Sequence, residues 1–178
     1  MRKLILQLAV SLDGYIEGPN GEYDWCFVDQ DYGMTEFFKR VDSVFYGRKS
    51  YELALSVGDV ELPHPRLKEY VFSTTLRTVR AGATLINGDI ESRVQRIKSE
   101  PGKDIWLFGG ASLTTSLLNL GLVDEIIMAV HPIILGSGKP LFKNIHNKIG
   151  LTLINSKVYT TGLVSLAYSI LEQDNREH

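Results

Sequence analysis

The sequence predicts an α/β protein built on one largely parallel sheet, with helices on both faces and an antiparallel end. Over the first two thirds of the 178 residues, the apolar period switches repeatedly between strand-like and helix-like. The last third reads almost wholly as strand. No linker, internal repeat or low-complexity stretch divides the chain, so residues 1–174 are expected to form one domain with a short tail at 175–178.

Leu4 to Val10 reads as a buried strand. It follows Met1-Arg2-Lys3 in the manner of a short signal peptide, but Gln7 interrupts it and Ser11-Leu12-Asp13-Gly14 is no small-residue cleavage site. Ser11 to Asp31 is rich in Gly, Pro, Asn and Asp and reads as a long loop, a feature usually functional in a compact domain. Tyr32 to Val41 sets Met34, Phe37, Phe38 and Val41 at helical spacing. Ser43 to Tyr46 is a strand ending at Gly47, and Arg48 to Leu55 can be a helix. Tyr70 to Phe72 and Thr84 to Ile86 are short strands, the first stopped by Ser73-Thr74-Thr75. Asp89 can cap a helix running to about Ser99, with Ile90, Val94 and Ile97 on one face. Asp104 to Phe108 is a strand entering Gly109-Gly110, and Ser112 to Leu120 is a helix closed by Gly121. Glu125 to Leu135 reads as one long strand in which Pro132 marks an edge or a bulge. Leu151 to Tyr159 and Leu163 to Leu171 form a terminal hairpin about Thr160-Thr161-Gly162.

Composition narrows the function. A hydrophobic content of 44% supplies a core, and a net charge of -2 gives no electrostatic footprint for nucleic acid. No stretch is apolar for long enough to span a bilayer. The single cysteine, Cys26, rules out an internal disulfide framework and a multi-cysteine zinc site, so a cytoplasmic location is the default. His64 lies between Pro63 and Pro65, His131 lies in a strand, and His146 and His178 have no partner at ligand spacing; no metal is expected.

In open α/β sheets, ligands bind beyond the carboxyl ends of the strands. Three such ends carry chemistry here. Gly47-Arg48-Lys49-Ser50 joins close backbone approach to two cations, a hydroxyl and a helix N-terminus, a combination suited to phosphate. It reads equally well as a helix start with solvated bases and a capping serine. Gly109-Gly110-Ala111-Ser112-Leu113 lets amides at a helix start face a diphosphate, or simply permits tight strand-to-helix packing. Ser112 and Leu113 break the G-x-G-x-x-G fingerprint, so this is no standard Rossmann motif. Ser73 and Thr74 offer hydroxyls at a third end, where simple turn formation is the alternative.

The ordered set resembles the dihydrofolate reductase superfamily over nearly the whole chain. It is most similar to stand-alone proteins like the C-terminal reductase domain of bacterial riboflavin biosynthesis enzymes. The matching pieces are Ala9-Val10-Ser11-Leu12-Asp13-Gly14-Tyr15-Ile16, Asp24-Trp25, Tyr46-Gly47-Arg48-Lys49-Ser50-Tyr51-Glu52 and Val71-Phe72-Ser73-Thr74-Thr75-Leu76. Phe108-Gly109-Gly110-Ala111-Ser112-Leu113 and Ile134-Leu135-Gly136-Ser137-Gly138-Lys139-Pro140-Leu141-Phe142 complete them. The resemblance implies a central eight-stranded sheet and NADPH as cofactor. Arg48, Lys49 and Ser50 would hold the 2′-phosphate and its neighbours, Ser73 and Thr74 would flank the adenosine, and Gly109 to Leu113 would wrap the diphosphate. Ala9 and Ile16 would frame the nicotinamide under a lid from Glu17 to Trp25, and hydride would pass to a pterin- or pyrimidine-like heterocycle or a carbonyl.

Folate-reducing relatives carry an acid on the helix after the lid, and here Met34 or a neighbour takes that place. Asp13 and Glu36 are the candidate catalytic acids, each with a plainer reading as a turn residue or a surface acid. Trp25 and Phe37 are the candidate substrate contacts. No deaminase zinc signature accompanies the domain. Family analogy implies a homodimer. The competing readings are an NADPH-binding module with little or no turnover, and an oligomeric scaffold without cofactor.

Overall fold

The computed structural model describes residues 1–57 and 66–171. The expectations for His64 between its two prolines, for His178 and for the tail at 175–178 lie outside the described residues. In chain order the elements are β1 (Leu4–Ser11), β2 (Tyr15–Glu17), α1 (Met34–Arg40), β3 (Val41–Gly47), α2 (Arg48–Val57), β4 (Lys68–Phe72), β5 (Thr84–Ile86), α3 (Ile90–Ser99), β6 (Asp104–Gly109), α4 (Ala111–Asn119), β7 (Glu125–His131), β8 (Lys139–Pro140), β9 (Leu151–Val158) and β10 (Val164–Ile170).

Eight strands form one sheet in the order β5-β4-β3-β6-β1-β7-β10-β9, while β2 and β8 make a separate ribbon. Every pairing from β5 across to β7 is parallel. Only β10 runs against its neighbours, β7 and β9. The parallel strands are apolar on both faces because both faces are covered. Leu4, Leu6, Phe45, Ile105 and Leu107 point to one side and pack with Val94 and Ile97 of α3 and Leu113 and Leu117 of α4. Ile5, Val44, Val71 and Trp106 point to the other and pack with Phe37 of α1 and Tyr51 of α2. Burying each large aliphatic side chain contributes roughly 1.5–3 kcal/mol.

Local signals set the helix ends. Asp89 caps α3 by accepting the Ser92 N–H at 3.2 Å. Past α4, Gly121 at φ +65 donates to Leu118 O and Leu122 donates to Leu117 O, both at 3.0 Å. This pair of bonds closes the last turn as a Schellman motif.

Several boundaries differ from the sequence expectation: β3 takes in Val41, which the helical spacing had claimed, β4 begins at Lys68, α2 runs on to Val57, and three further differences have a visible cause or consequence. The loop beginning at Ser11 contains β2, and β1 itself continues through Ser11. The first helix starts at Met34 because Asp31 takes the amides of Gly33 and Thr35 at 3.0 and 2.9 Å, holding the chain before it in a turn. β7 stops at His131, so Pro132 lies just past it; β7 is an interior strand, paired with both β1 and β10. Proline, having no N–H, ends this ladder instead of marking an edge.

The amino ends of the parallel strands are sealed by ion pairs. Arg2, 6% exposed, reaches Asp42, the Ser43 hydroxyl and the Lys103 carbonyl. Glu125 accepts from Lys3 at 2.6 Å and Arg40 at 2.7 Å. Burial works against ionisation of Glu125, yet these two cations outweigh it and hold its carboxyl below the usual range. Buried Lys98 bonds Asp124 at 2.6 Å and the Leu122 carbonyl at 2.9 Å.

Candidate functional site

At the opposite, carboxyl end of the sheet, the three strand ends singled out in the sequence converge. A cavity of about 540 Å³ is lined by Gly47, Arg48 and Lys49 beyond β3, by Ser73, Thr74 and Thr75 beyond β4, and by Gly110 to Leu113 beyond β6. That volume suits a small-molecule or cofactor site.

Each wall follows from its sequence. At Gly47, β3 passes straight into α2, and an added Cβ would lie 3.3 Å from the Gly110 amide nitrogen. The two strand ends therefore approach as closely as backbones can, so Gly47 serves packing as well as access. Gly109 has φ +123, a conformation side chains disfavour, and the Gly109–Gly110 peptide is cis. Ser50 faces this backbone: its Oγ lies 3.1 Å from where a Gly110 Cβ would sit. Gly110 is the N-cap of α4 and supplies no capping side chain. The amides of Ala111, Ser112 and Leu113 therefore lack intrahelical acceptors, while Thr114 already donates to Gly110 O at 3.0 Å. With the helix dipole, they make an anion cradle. Among the described residues, Arg48 is held only by an exposed pair with Glu52 at 3.1 Å, an interaction worth about 0–1 kcal/mol and easily exchanged for a phosphate. Ser73 proves partly a turn former: its Oγ accepts the amides of Thr75 and Leu76 at 3.2 and 3.0 Å. These residues fit a dinucleotide phosphate chain.

The sheet parts beside this cradle. Pairing of β1 with β6 runs from Leu4↔Ile105 to Leu6↔Leu107, whereas β1 stays paired with β7 as far as Ser11↔His131. Ala9 lies on β1 beyond its last β6 partner, and Ile16 of β2 packs against the core below.

The remaining sequence candidates are placed elsewhere. Asp13 does not line the cavity. Its carboxylate accepts the Ser11 hydroxyl at 2.7 Å and the amides of Leu135 and Gly136 at 3.1 and 2.8 Å. The Ser11 bond, followed by these amides, holds the carboxyl below its usual range, so it stays ionised near neutral pH as a loop clip. Glu36 is solvent-exposed and pairs with Lys39 at 2.5 Å. Phe37 is a core residue, 6% exposed, in edge contact with Trp106 at 5.7 Å, and presents no surface to a ligand. Cys26 is no nucleophile near neutral pH, since burial and then Asp24 push its thiol up to about 11.

Trp25 stands against His131, ring centroids 5.3 Å apart, and its indole N–H is buried without a hydrogen-bond partner among the described residues. His131 Nε2 accepts the Phe27 amide at 3.1 Å, so the proton sits on Nδ1, which bonds the Ala129 carbonyl at 2.9 Å. The long loop is thus fastened to the end of β7. Sequence reasoning overlooked Ile86, Gly88, Ile90 and Ser116 in the cavity wall, where nothing in residue type signals a ligand. Lys139 also lines it, from the Ile134-to-Phe142 stretch that carries part of the resemblance. No helix among the described residues is long and apolar enough to cross a membrane.

An eight-stranded mixed sheet with this cleft at its carboxyl edge defines a dihydrofolate reductase-like protein. A Schistosoma mansoni dihydrofolate reductase shares the fold at TM-score 0.63 and 15% identity, over 96% of this chain and 99% of its own. More narrowly, the chain belongs to the RibD C-terminal domain family, whose model matches residues 2–165. The uncharacterized protein YyaP of Bacillus subtilis is 46% identical over 178 residues, covering 94% of each chain. A crystal structure from Shewanella sp. PV-4, designated by name alone a riboflavin biosynthesis protein, superposes at TM-score 0.83 with 27% identity, covering 95% of this chain and 99% of that one.

Proposed function

We propose that the protein is an NADPH-dependent reductase that passes hydride to a small heterocyclic, pterin- or pyrimidine-like substrate. One observation carries this reading: three strand ends, distant in sequence, line one cleft that joins Arg48 and Lys49 to the uncapped α4 N-terminus. Arg48, Lys49 and Ser50 would hold the 2′-phosphate, Ser73 and Thr74 the adenosine side, and Gly109 to Leu113 the diphosphate. Ala9 and Ile16 would border the nicotinamide where β1 and β6 part. The hydride is the cofactor's own chemistry. The chain's part is to orient it and exclude water, with the loop anchored on His131 as the cover.

Neither Asp13 nor Glu36 lines the cleft, and no carboxylate does so among its described residues. This favours solvent as the proton source; it also supports, as a second reading, a module that binds NADPH with little turnover. Thermal shift with NADPH, NADH and folate-like ligands tests the proposal. A larger rise with NADPH than with NADH is expected, and no rise with either would refute it. Oxidation of NADPH by none of a panel of pterins, pyrimidines and carbonyls would leave the binding-module reading standing alone.

A cytoplasmic homodimer completes the proposal. All eight residues of β9 are exposed, with Leu153 and Ile154 each 53% and Val158 74% exposed, an apolar edge that a second copy would cover. Light scattering should report a dimer, and Ile154→Lys should yield a monomer.

A further inference from the structure

The cleft carries a cation on each flank of the α4 N-terminus. Strand order puts Arg48 and Lys49, which follow β3, on one side of β6. Lys139 reaches the same cavity from the other side: it lies on β8, which pairs with β2, and β2 follows β1. Its Nζ sits 2.8 Å from Glu17 Oε1, with both side chains about one-third exposed, at 32% and 34%. A partly solvated pair of this kind is weak.

The segment bearing Lys139 is firmly seated. Leu12 donates to Ile133 O at 2.8 Å, and Leu141 donates to Gly14 O at 2.9 Å. Asp13 takes the amides of Leu135 and Gly136 between them. Gly138, at φ +146, passes so close that an added Cβ would collide with the Glu17 carbonyl. The backbone is therefore fixed, and the ammonium at the end of its long stem rests on Glu17 in the wall of the same cavity as the cradle.

We propose that Lys139 is an anion-binding residue of this cleft, whose ammonium leaves Glu17 for a phosphoryl oxygen of the diphosphate in the bound dinucleotide. The proposal rests on the dinucleotide reading above. Glu17 acts as a placeholder that neutralises the cation until the dinucleotide binds. A diphosphate seated on the α4 amides outcompetes it, because its charge is fixed between two cationic flanks. Lys139 then serves NADPH and NADH alike, since both carry the same diphosphate, whereas Arg48 favours the 2′-phosphate.

Calorimetric titration of the full chain with NADPH and NADH tests this. Lys139→Met is expected to weaken both by the same factor, about tenfold, the worth of one charge-assisted hydrogen bond. Glu17→Gln, which frees the ammonium, is expected to tighten both severalfold. If wild type binds NADPH and Lys139→Met binds it equally well, the proposal is overturned and the dinucleotide reading survives. If wild type binds neither dinucleotide, both fall together. Should Lys139→Met not fold, Glu17→Gln decides, and unchanged affinity overturns the proposal. Inorganic phosphate titrated into the NADPH-saturated protein covers the remaining source: Lys139-dependent phosphate binding there would assign the ammonium to a phosphorylated second ligand, against the diphosphate.

Discussion

The two ends of the parallel sheet treat charge in opposite ways. At the amino ends, Arg2, Lys3, Arg40 and Lys98 all meet carboxylates, and Arg2 and Lys98 also take the carbonyls of Lys103 and Leu122. At the carboxyl ends, Arg48 has only an exposed helical partner among the described residues, and the first amides of α4 face a cavity. The direction of the chain explains the contrast. In crossover units the helices leave their spare carbonyls at the strands' amino ends and their spare N–H groups at the carboxyl ends. Cations saturate the first end and seal it. Glycine and cations leave the second open to an anion.

Substitutions that affect one end alone separate binding from stability. The largest effect is expected from Gly110→Val. Its backbone, φ -85 and ψ -173, accepts a side chain, and the Cβ meets only the Ser50 hydroxyl, so the variant should fold. The isopropyl group would nonetheless block the cradle and abolish NADPH binding in calorimetry. A folded variant with normal affinity would remove the diphosphate assignment. At the sealed end, Glu125→Ala should lower unfolding free energy in urea by about 2 kcal/mol, because it removes a buried carboxylate that two half-exposed cations hold. NADPH affinity should not change. Next is Arg48→Ala, for which we expect about a tenfold loss for NADPH and little for NADH; equal losses would remove Arg48 from the 2′-phosphate.

The smallest effects concern pH and fall in two windows. Burial lowers the pKa of His131, so the folded state holds it neutral and stability falls as pH drops below about 6.5. Protonated Nε2 cannot accept the Phe27 amide, so hydrogen exchange at residues 24–32 should accelerate first, and His131→Gln should flatten this slope. Glu125 has a lowered folded pKa, so its contribution is complete above the unfolded value of about 4.3 and is lost only as pH falls through the folded value. Acid should therefore loosen the loop before it unlocks the sealed end, and simultaneous loss of both would contradict the separation.

Legibility followed distance along the chain. The Asp89 cap, the Gly121 closure and the Gly47 and Gly109 strand ends were readable because each depends on residues within a few positions. β2 and β8 are too short to show a period, and each exists only through the other. Asp13 looked like an acid near a nicotinamide site, but its amide partners lie 122 and 123 positions away, and no local pattern announces them. Phe37 showed helical spacing without showing which face would be buried. Ile86, Gly88 and Ile90 enter the cavity wall simply because β5 and α3 end there.

By itself the sequence determined which segments become strands and helices, and which strand ends carry glycine, hydroxyl and cation, because backbone preference and apolar period are local properties. The strand order was decided only by the tertiary structure. That order brings three ends into one cleft, parts β1 from β6, carries Lys139 to the far flank and turns Asp13 into a clip. Each depends on contacts between residues far apart in the chain, whose closure only packing of the whole sheet can stabilise.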